Sequence, residues 1–104
     1  DYAEKNRVIV VLKGPRTIVA SPDGRIYFNT SGNEALAQAG SGDVLTGMIA
    51  AMLTLEGDPF AAACRAVFMH GHIADEGRKF YSCRNFPLEK FPEIMDRMFL
   101  EHGL

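Results

Sequence analysis

The run Val8-Ile9-Val10-Val11-Leu12 carries no polar residue, and an unbroken β-branched stretch of this kind belongs to a strand covered on both faces. Such strands normally lie inside a parallel sheet, where each neighbour is reached by a crossover of roughly a dozen residues or more. Only seven residues precede the run, and nothing after residue 30 reads as a strand. The expected sheet is therefore incomplete. The chain reads as the carboxyl-terminal part of a larger α/β domain, or as one whose remaining strands come from another chain. A strand paired only with the following hairpin, with both faces wet, would count against this reading.

The hairpin itself is plain. Thr17 to Ala20 and Arg25 to Asn29 are its strands, and Ser21-Pro22-Asp23-Gly24 is its turn, with proline presetting φ and glycine free to take positive φ. Between the first strand and the hairpin lies Lys13-Gly14-Pro15-Arg16-Thr17, at the strand's carboxyl end, where open α/β sheets bind ligands. Lys13 and Arg16 can meet phosphate oxygens there, or the segment is a solvated turn whose two cations do nothing specific. Asn29 to Asn33 is a polar turn, in which Asn33 either donates to a nucleotide or satisfies turn backbone.

Ala39-Gly40-Ser41-Gly42-Asp43-Val44-Leu45 then runs a small-residue loop into an apolar segment. From Asp43 to about Leu55 the pattern predicts a helix with almost no polar face, buried all round. Its first turn has unpaired N–H groups and the positive end of the helix dipole, so Gly40, Ser41 and Gly42 form a candidate hole for a phosphate or a developing oxyanion. Asp43 is either a favourable end charge or a base placed to take a proton from a hydroxyl being phosphorylated. Were Asp43 turned from any cleft and the preceding amides occupied by protein carbonyls, that chemistry would have no place.

Glu56-Gly57 ends this helix, and Asp58-Pro59 starts the next with a cap residue and a proline at the first helical position. That helix, about Pro59 to Phe80, places Phe60, Cys64, Val67, Gly71 and Ala74 on one stripe and Arg65, Glu76 and Lys79 toward solvent. His70 and His72 are two apart and point in different directions, so they do not chelate one metal, and no metal-ligating set is assigned. Ser82 to Phe86 is a loop. A last helix, from Pro87 or Pro92 to His102, carries Phe91, Ile94, Met95, Met98 and Phe99 at core spacing, with Gly103 at its end.

With 104 residues, 47% of them hydrophobic and 23% charged, the composition is that of one globular domain. A formal net charge of -2 with scattered basic residues provides no field for nucleic acid or an acidic membrane, and points to a small-molecule partner. Cys64 and Cys83 form no CxxC pair, and no signal-like amino terminus is present, so free thiols in a cytoplasmic setting are expected. The longest apolar run, around Gly47 to Leu53, falls short of the ~20 residues that span a bilayer.

Taken together, Leu12-Lys13-Gly14, the hairpin, Gly32-Asn33, Ala37 to Gly47, Asp58 to Ala63 and Val67 to Gly71 resemble the ribokinase-like superfamily, and within it the ADP-dependent NAD(P)HX dehydratases. Gln38 and Ala39 stand where threonine and glycine are common in that family. The resemblance implies an α/β fold, here its strand plus β-hairpin followed by three helices. It also implies a nucleotide site at Lys13, Gly14, Pro15, Arg16, Thr17 and Gly42, and a substrate-contacting acid at Asp43. The implied activity is a metabolite-repair lyase that returns NADHX or NADPHX to NADH or NADPH at the expense of ADP or ATP, with Mg2+. It would do so by phosphorylating the ring hydroxyl and losing phosphate. The family domain is more than twice this length, so the fragment alone is not expected to be a complete enzyme; a homo-oligomer is compatible with the resemblance. Two alternatives stay open: a small-molecule kinase of the same fold acting on a sugar, a hydroxymethylpyrimidine or a thiazole alcohol, which would release a stable phosphorylated product, and a nucleotide-binding or oligomerisation module without chemistry.

Overall fold

A computed structural model describes residues 2–14, 16–33, 36, 40–82 and 87–102. Helix α1, Tyr2–Asn6, stands where only a polar lead is expected from the sequence; Val8 N–H returns to the Ala3 carbonyl at 3.2 Å and turns the chain into the sheet. The strands are β1, Val10–Leu12, β2, Ile18–Ala20, and β3, Ile26–Phe28, followed by α2, Ser41–Leu55, α3, Pro59–Gly77, a 3-10 turn at Leu88–Lys90 and α4, Phe91–His102. Gly103 and residues 83–86 of the expected loop lie outside the described residues.

The sheet runs β1-β2-β3 and is antiparallel, with Val11 opposite Val19 and Val19 opposite Tyr27. The first strand is thus shorter than its β-branched run. Among the described residues it pairs with the hairpin alone, across a five-residue connection too short for a parallel crossover. Only one face is dry. Val11, Val19 and Tyr27 pack with Ile9 against Leu45, Ala63, Ala66 and Val67 of α2 and α3. Alternation puts Val10, Leu12, Ile18, Ala20, Ile26 and Phe28 on the other face, where Leu12, Ile26 and Phe28 are 62%, 53% and 64% exposed.

The Ser21–Gly24 turn forms as expected, with Gly24 N–H donating to the Ser21 carbonyl at 3.1 Å and Gly24 at φ 95°. Arg25 next to it joins the hairpin to α3: Nε meets Asp23 Oδ2 at 2.8 Å, Nη1 meets Asp58 Oδ2 at 2.6 Å, and the guanidinium lies 4.6 Å from the Phe60 ring centre. Asp58 also caps α3 by accepting the Phe60 N–H at 3.1 Å. Hydrogen bonding from Arg25 holds the Asp23 carboxyl down to about 2 and lowers Asp58 as well. Carboxyls depressed in the folded state stabilise it above their unfolded pKa and cease to do so as pH falls through the folded value. Thermal melts between about pH 4 and 2 should therefore fall with acid in the wild type and less steeply in Arg25→Ala; equal slopes would refute this. The effect at neutral pH should be small, because all three groups are well exposed.

Helix α2 begins two residues earlier than the apolar pattern suggests, at Ser41, because Gly40 takes φ 93° as its N-cap. It is also not buried all round. Ser41 and Leu45 are its buried residues, Val44, Met48, Ile49 and Met52 are partly covered, and Leu55 is 82% exposed. Apolarity on every side identified a helix; among the described residues only one side finds a partner. Helix α3 ends at Gly77 rather than near Phe80, and buries a wider stripe than expected, from Ala62 and Ala63 to Ile73 and Ala74. Its far side meets Phe91 and Ile94 of α4, whose Met95 is partly buried in the same cluster; the side chains of Met98 and Phe99 lie outside the described set. Arg65 and Lys79 are exposed as expected, Glu76 less so.

Candidate nucleotide-phosphate site

The carboxyl end of β1, the first turn of α2, the middle of α3 and the segment after β3 meet around a cavity of about 660 Å³. Lys13, Gly14 and Thr17 come from the strand end, Ser41 and Leu45 from α2, and His70 and Gly71 from α3. Asn29, Ser31, Gly32 and Asn33 complete the wall.

That last wall is tied to α3. Asn33 Nδ2 and the Gly32 N–H donate to the two oxygens of Asp75, each at 2.9 Å, and Ser31 Oγ donates to the Phe68 carbonyl at 2.9 Å. Asn33 therefore serves a third purpose beyond the two open in the sequence, tethering its loop to a helix 42 residues on while facing the cavity. Tyr27 Oη donates to Asn29 Oδ1 at 2.9 Å, which fixes the buried Asn29 beneath it.

Lys13 crosses to α2. A Cβ built at Gly42 would clash with Lys13 Nζ, so glycine is what lets the ammonium lie over the first helical turn. Gly40 provides no side-chain cap there. A cation against the positive end of a helix dipole is unfavourable by itself, and an anion held between them satisfies both. The arrangement suits a phosphate group.

His70 stands on the opposite wall, buried, with Nε2 at 3.1 Å from the Ser41 carbonyl oxygen and its ring 5.5 Å from that of Phe91. Burial pushes the imidazole below its usual range, the Ser41 carbonyl opposes this, and the nearby Lys13 charge adds to it. His72 diverges as expected and stacks on Phe68 at 5.6 Å. Among the described residues no three His, Cys, Asp or Glu side chains come together as a metal cage.

Of the residues singled out in the sequence, Lys13, Gly14, Thr17 and Ser41 share the cavity wall, and Gly40 and Gly42 belong to the adjoining turn. Arg16 is exposed and does not line the cavity, and Pro15 and residues 37–39 lie outside the described set. Asp43 sits in the same first turn, exposed, and is not among the cavity's lining residues. His70, Asn29, Ser31 and Asp75 were not singled out as site residues. For His70 the overlooked signal is an ionisable ring between Val67, Gly71 and Ala74 on a stripe otherwise destined for the core.

Lys13→Ala should weaken ADP binding by about ten- to a hundredfold, the range of one lost charged hydrogen bond, and should flatten its salt dependence. Calorimetry at two ionic strengths measures both, and unchanged affinity would leave the strand-end segment as a solvated turn.

Two helices backing a short sheet, a third packed on their far side, and a glycine-capped helix start facing the strand ends define part of a ribokinase-like α/β domain. A ribokinase-like superfamily protein of Enterococcus faecalis superposes with a TM-score of 0.71 at 28% identity, covering 91% of this chain and 34% of its own. The ADP/ATP-dependent NAD(P)H-hydrate dehydratase of Bacillus subtilis, co-crystallized with ATP/Mg2+, superposes with a TM-score of 0.89 at 37% identity, covering 96% of this chain and 36% of its own. In sequence, the ADP-dependent (S)-NAD(P)H-hydrate dehydratase of Neisseria meningitidis serogroup B is 56% identical over 66 residues, which is 64% of this chain and 22% of that protein. The family model described as NAD(P)H-hydrate dehydratase matches residues 1–94, and the chain belongs to that family. It spans little more than a third of the length of its Bacillus subtilis relative, 36%.

Proposed function

We propose that this chain forms the nucleotide-phosphate side of an active site that dehydrates NADHX or NADPHX to NADH or NADPH with ADP or ATP. The observation that carries the reading is the Lys13 ammonium over Gly42, at the positive end of α2 and beside the cavity. In this reading the N–H groups of the Gly40–Gly42 turn hold the transferring phosphoryl group, and Lys13 offsets the nucleotide's charge. Asp43, exposed at the same turn, accepts the proton of the substrate's ring hydroxyl as that oxygen attacks the phosphoryl group; loss of phosphate from the product follows. Mg2+ bound by the nucleotide would neutralise charge on its phosphates. Gly14 and Thr17, which line the cavity beside Lys13, border the nucleotide.

Substrate and nucleotide then approach from different sides of one turn: the nucleotide from the cavity, the hydrated nicotinamide from the exposed side of Asp43. We further propose that the chain is the carboxyl-terminal portion of a longer domain whose remaining part covers the apolar outer face of Leu12, Ile26 and Phe28 and supplies the rest of the substrate pocket. No described helix is long and apolar enough to cross a membrane, and a cytoplasmic small-molecule enzyme fits the family. The test is to supply NADHX and ADP to the intact protein and follow the return of NADH absorbance. Return of NADH with release of inorganic phosphate supports the reading; accumulation of a stable phosphorylated product would make the protein a kinase, and no reaction by a folded protein would reject both. An apolar-surface dye bound by the 104-residue chain but excluded from the intact protein is expected, and equal binding would remove the covered face.

A further inference from the structure

Each peptide unit is a rigid trans plane, so its carbonyl and its N–H point in opposite directions. The carbonyl of Ser41 and the N–H of Gly42 belong to one such plane. The carbonyl faces His70 Nε2 at 3.1 Å, and the N–H on its other side belongs to the residue over which Lys13 Nζ lies. Ser41 Oγ also lies 3.5 Å from Nε2, but the shorter contact is to a carbonyl oxygen, which only accepts, and it is satisfied when Nε2 carries the proton and donates. We propose that His70 is a positioning residue for the phosphate turn: by gripping the Ser41 carbonyl from α3, it aims the Gly42 N–H at the anion and strengthens it as a donor. This rests on the reading of that turn as the nucleotide-phosphate site.

Three observations favour this over simple filling of space. The ring is buried on a helix face otherwise made of Ala, Val, Gly and Ile, where an apolar side chain would avoid the cost of burying nitrogen. Its bond goes to a carbonyl that already serves the first turn of α2 and has a second lone pair to offer. The two residues are 29 apart in sequence, so the contact links two helices rather than finishing a local turn. Bonds in series polarise one another, and a peptide whose carbonyl is engaged donates more strongly from its N–H. The neutral ring leaves the anion's charge to Lys13 and the turn; His70 itself is not an anion ligand.

The experiment compares His70→Phe, which keeps a ring against Phe91 without a donor, with His70→Gln, which restores a donor of similar reach. ADP affinity and melting temperature are measured on the intact protein, with inorganic phosphate as a second probe. The Phe variant should lose about tenfold in affinity for both probes, as expected for one hydrogen bond, and the Gln variant should recover most of it. Wild-type affinity in the Phe variant, or equal loss in both variants, would overturn the assignment. If the Phe variant does not fold, the imidazole 15N spectrum of the wild type decides: an Nε2–H tautomer whose signal shifts on adding ADP supports it, and an Nδ1–H tautomer or an unresponsive signal overturns it. Because binding is read without NADHX, the dehydratase reading can fail in the absorbance assay while this contact stands, and the reverse.

Discussion

Asp43→Asn in the intact protein should lower turnover of NADHX by about 10²- to 10⁴-fold, the range of a lost general base, while ADP affinity changes by less than about threefold. The asymmetry is the informative part. The substitution keeps the shape of the side chain and removes its ability to take a proton. Asp43 is exposed and lies outside the cavity wall that would receive the nucleotide, so binding has little reason to change. Removing a negative charge from the first turn of α2 would, if anything, ease the approach of phosphate, and would cost the helix a favourable end charge of only ~0.3–1 kcal/mol. An equal fall in affinity and turnover would make Asp43 an end charge and no base. Single-turnover measurements with saturating ADP separate the two.

Gly71→Ala should destabilise the protein, although helix propensity alone predicts the opposite. In an open helix the change to alanine gains ~1 kcal/mol. Here a Cβ would strike Ser31 Oγ and lie 2.7 Å and 2.8 Å from the Ser31 carbonyl carbon and oxygen. The hydroxyl could rotate away; the backbone cannot, because Gly32 and Asn33 immediately after it are held by Asp75. Overpacking of this kind costs ~1–3 kcal/mol, so steric conflict outweighs propensity. The melting temperature should fall by several degrees, and ADP affinity should fall with it, because the displaced segment is a wall of the cavity proposed for the nucleotide. A melting temperature at or above wild type would refute the close approach. Asp75→Asn gives the same wall a milder test, since it keeps one acceptor and loses the other.

The family and the order of elements were legible because their signals are local. Ser21-Pro22-Asp23-Gly24 turns the chain, Asp58-Pro59 opens α3, and the glycine-rich loop opens a helix whose first turn carries Asp43. Apolarity alone says less. The β-branched run predicts a strand covered on both faces; in this chain it pairs antiparallel with the hairpin and is dry on one face, while Leu12 of the run and Phe28 on the outer face are exposed. The all-apolar helix suggested complete burial; α2 has one covered side. A run of apolar residues records that a segment can be covered, without recording by what.

Turn chemistry, helix caps and the small-residue approach to a helix end depend on backbone sterics within a few residues, and the amino-acid sequence alone determined them. The tertiary structure decided which distant groups share the site: Lys13 over Gly42, Asp75 beneath Asn33, and His70 against the carbonyl of Ser41. Those pairings follow from which faces of sheet and helices meet, a long-range outcome of packing that no spacing along the chain encodes.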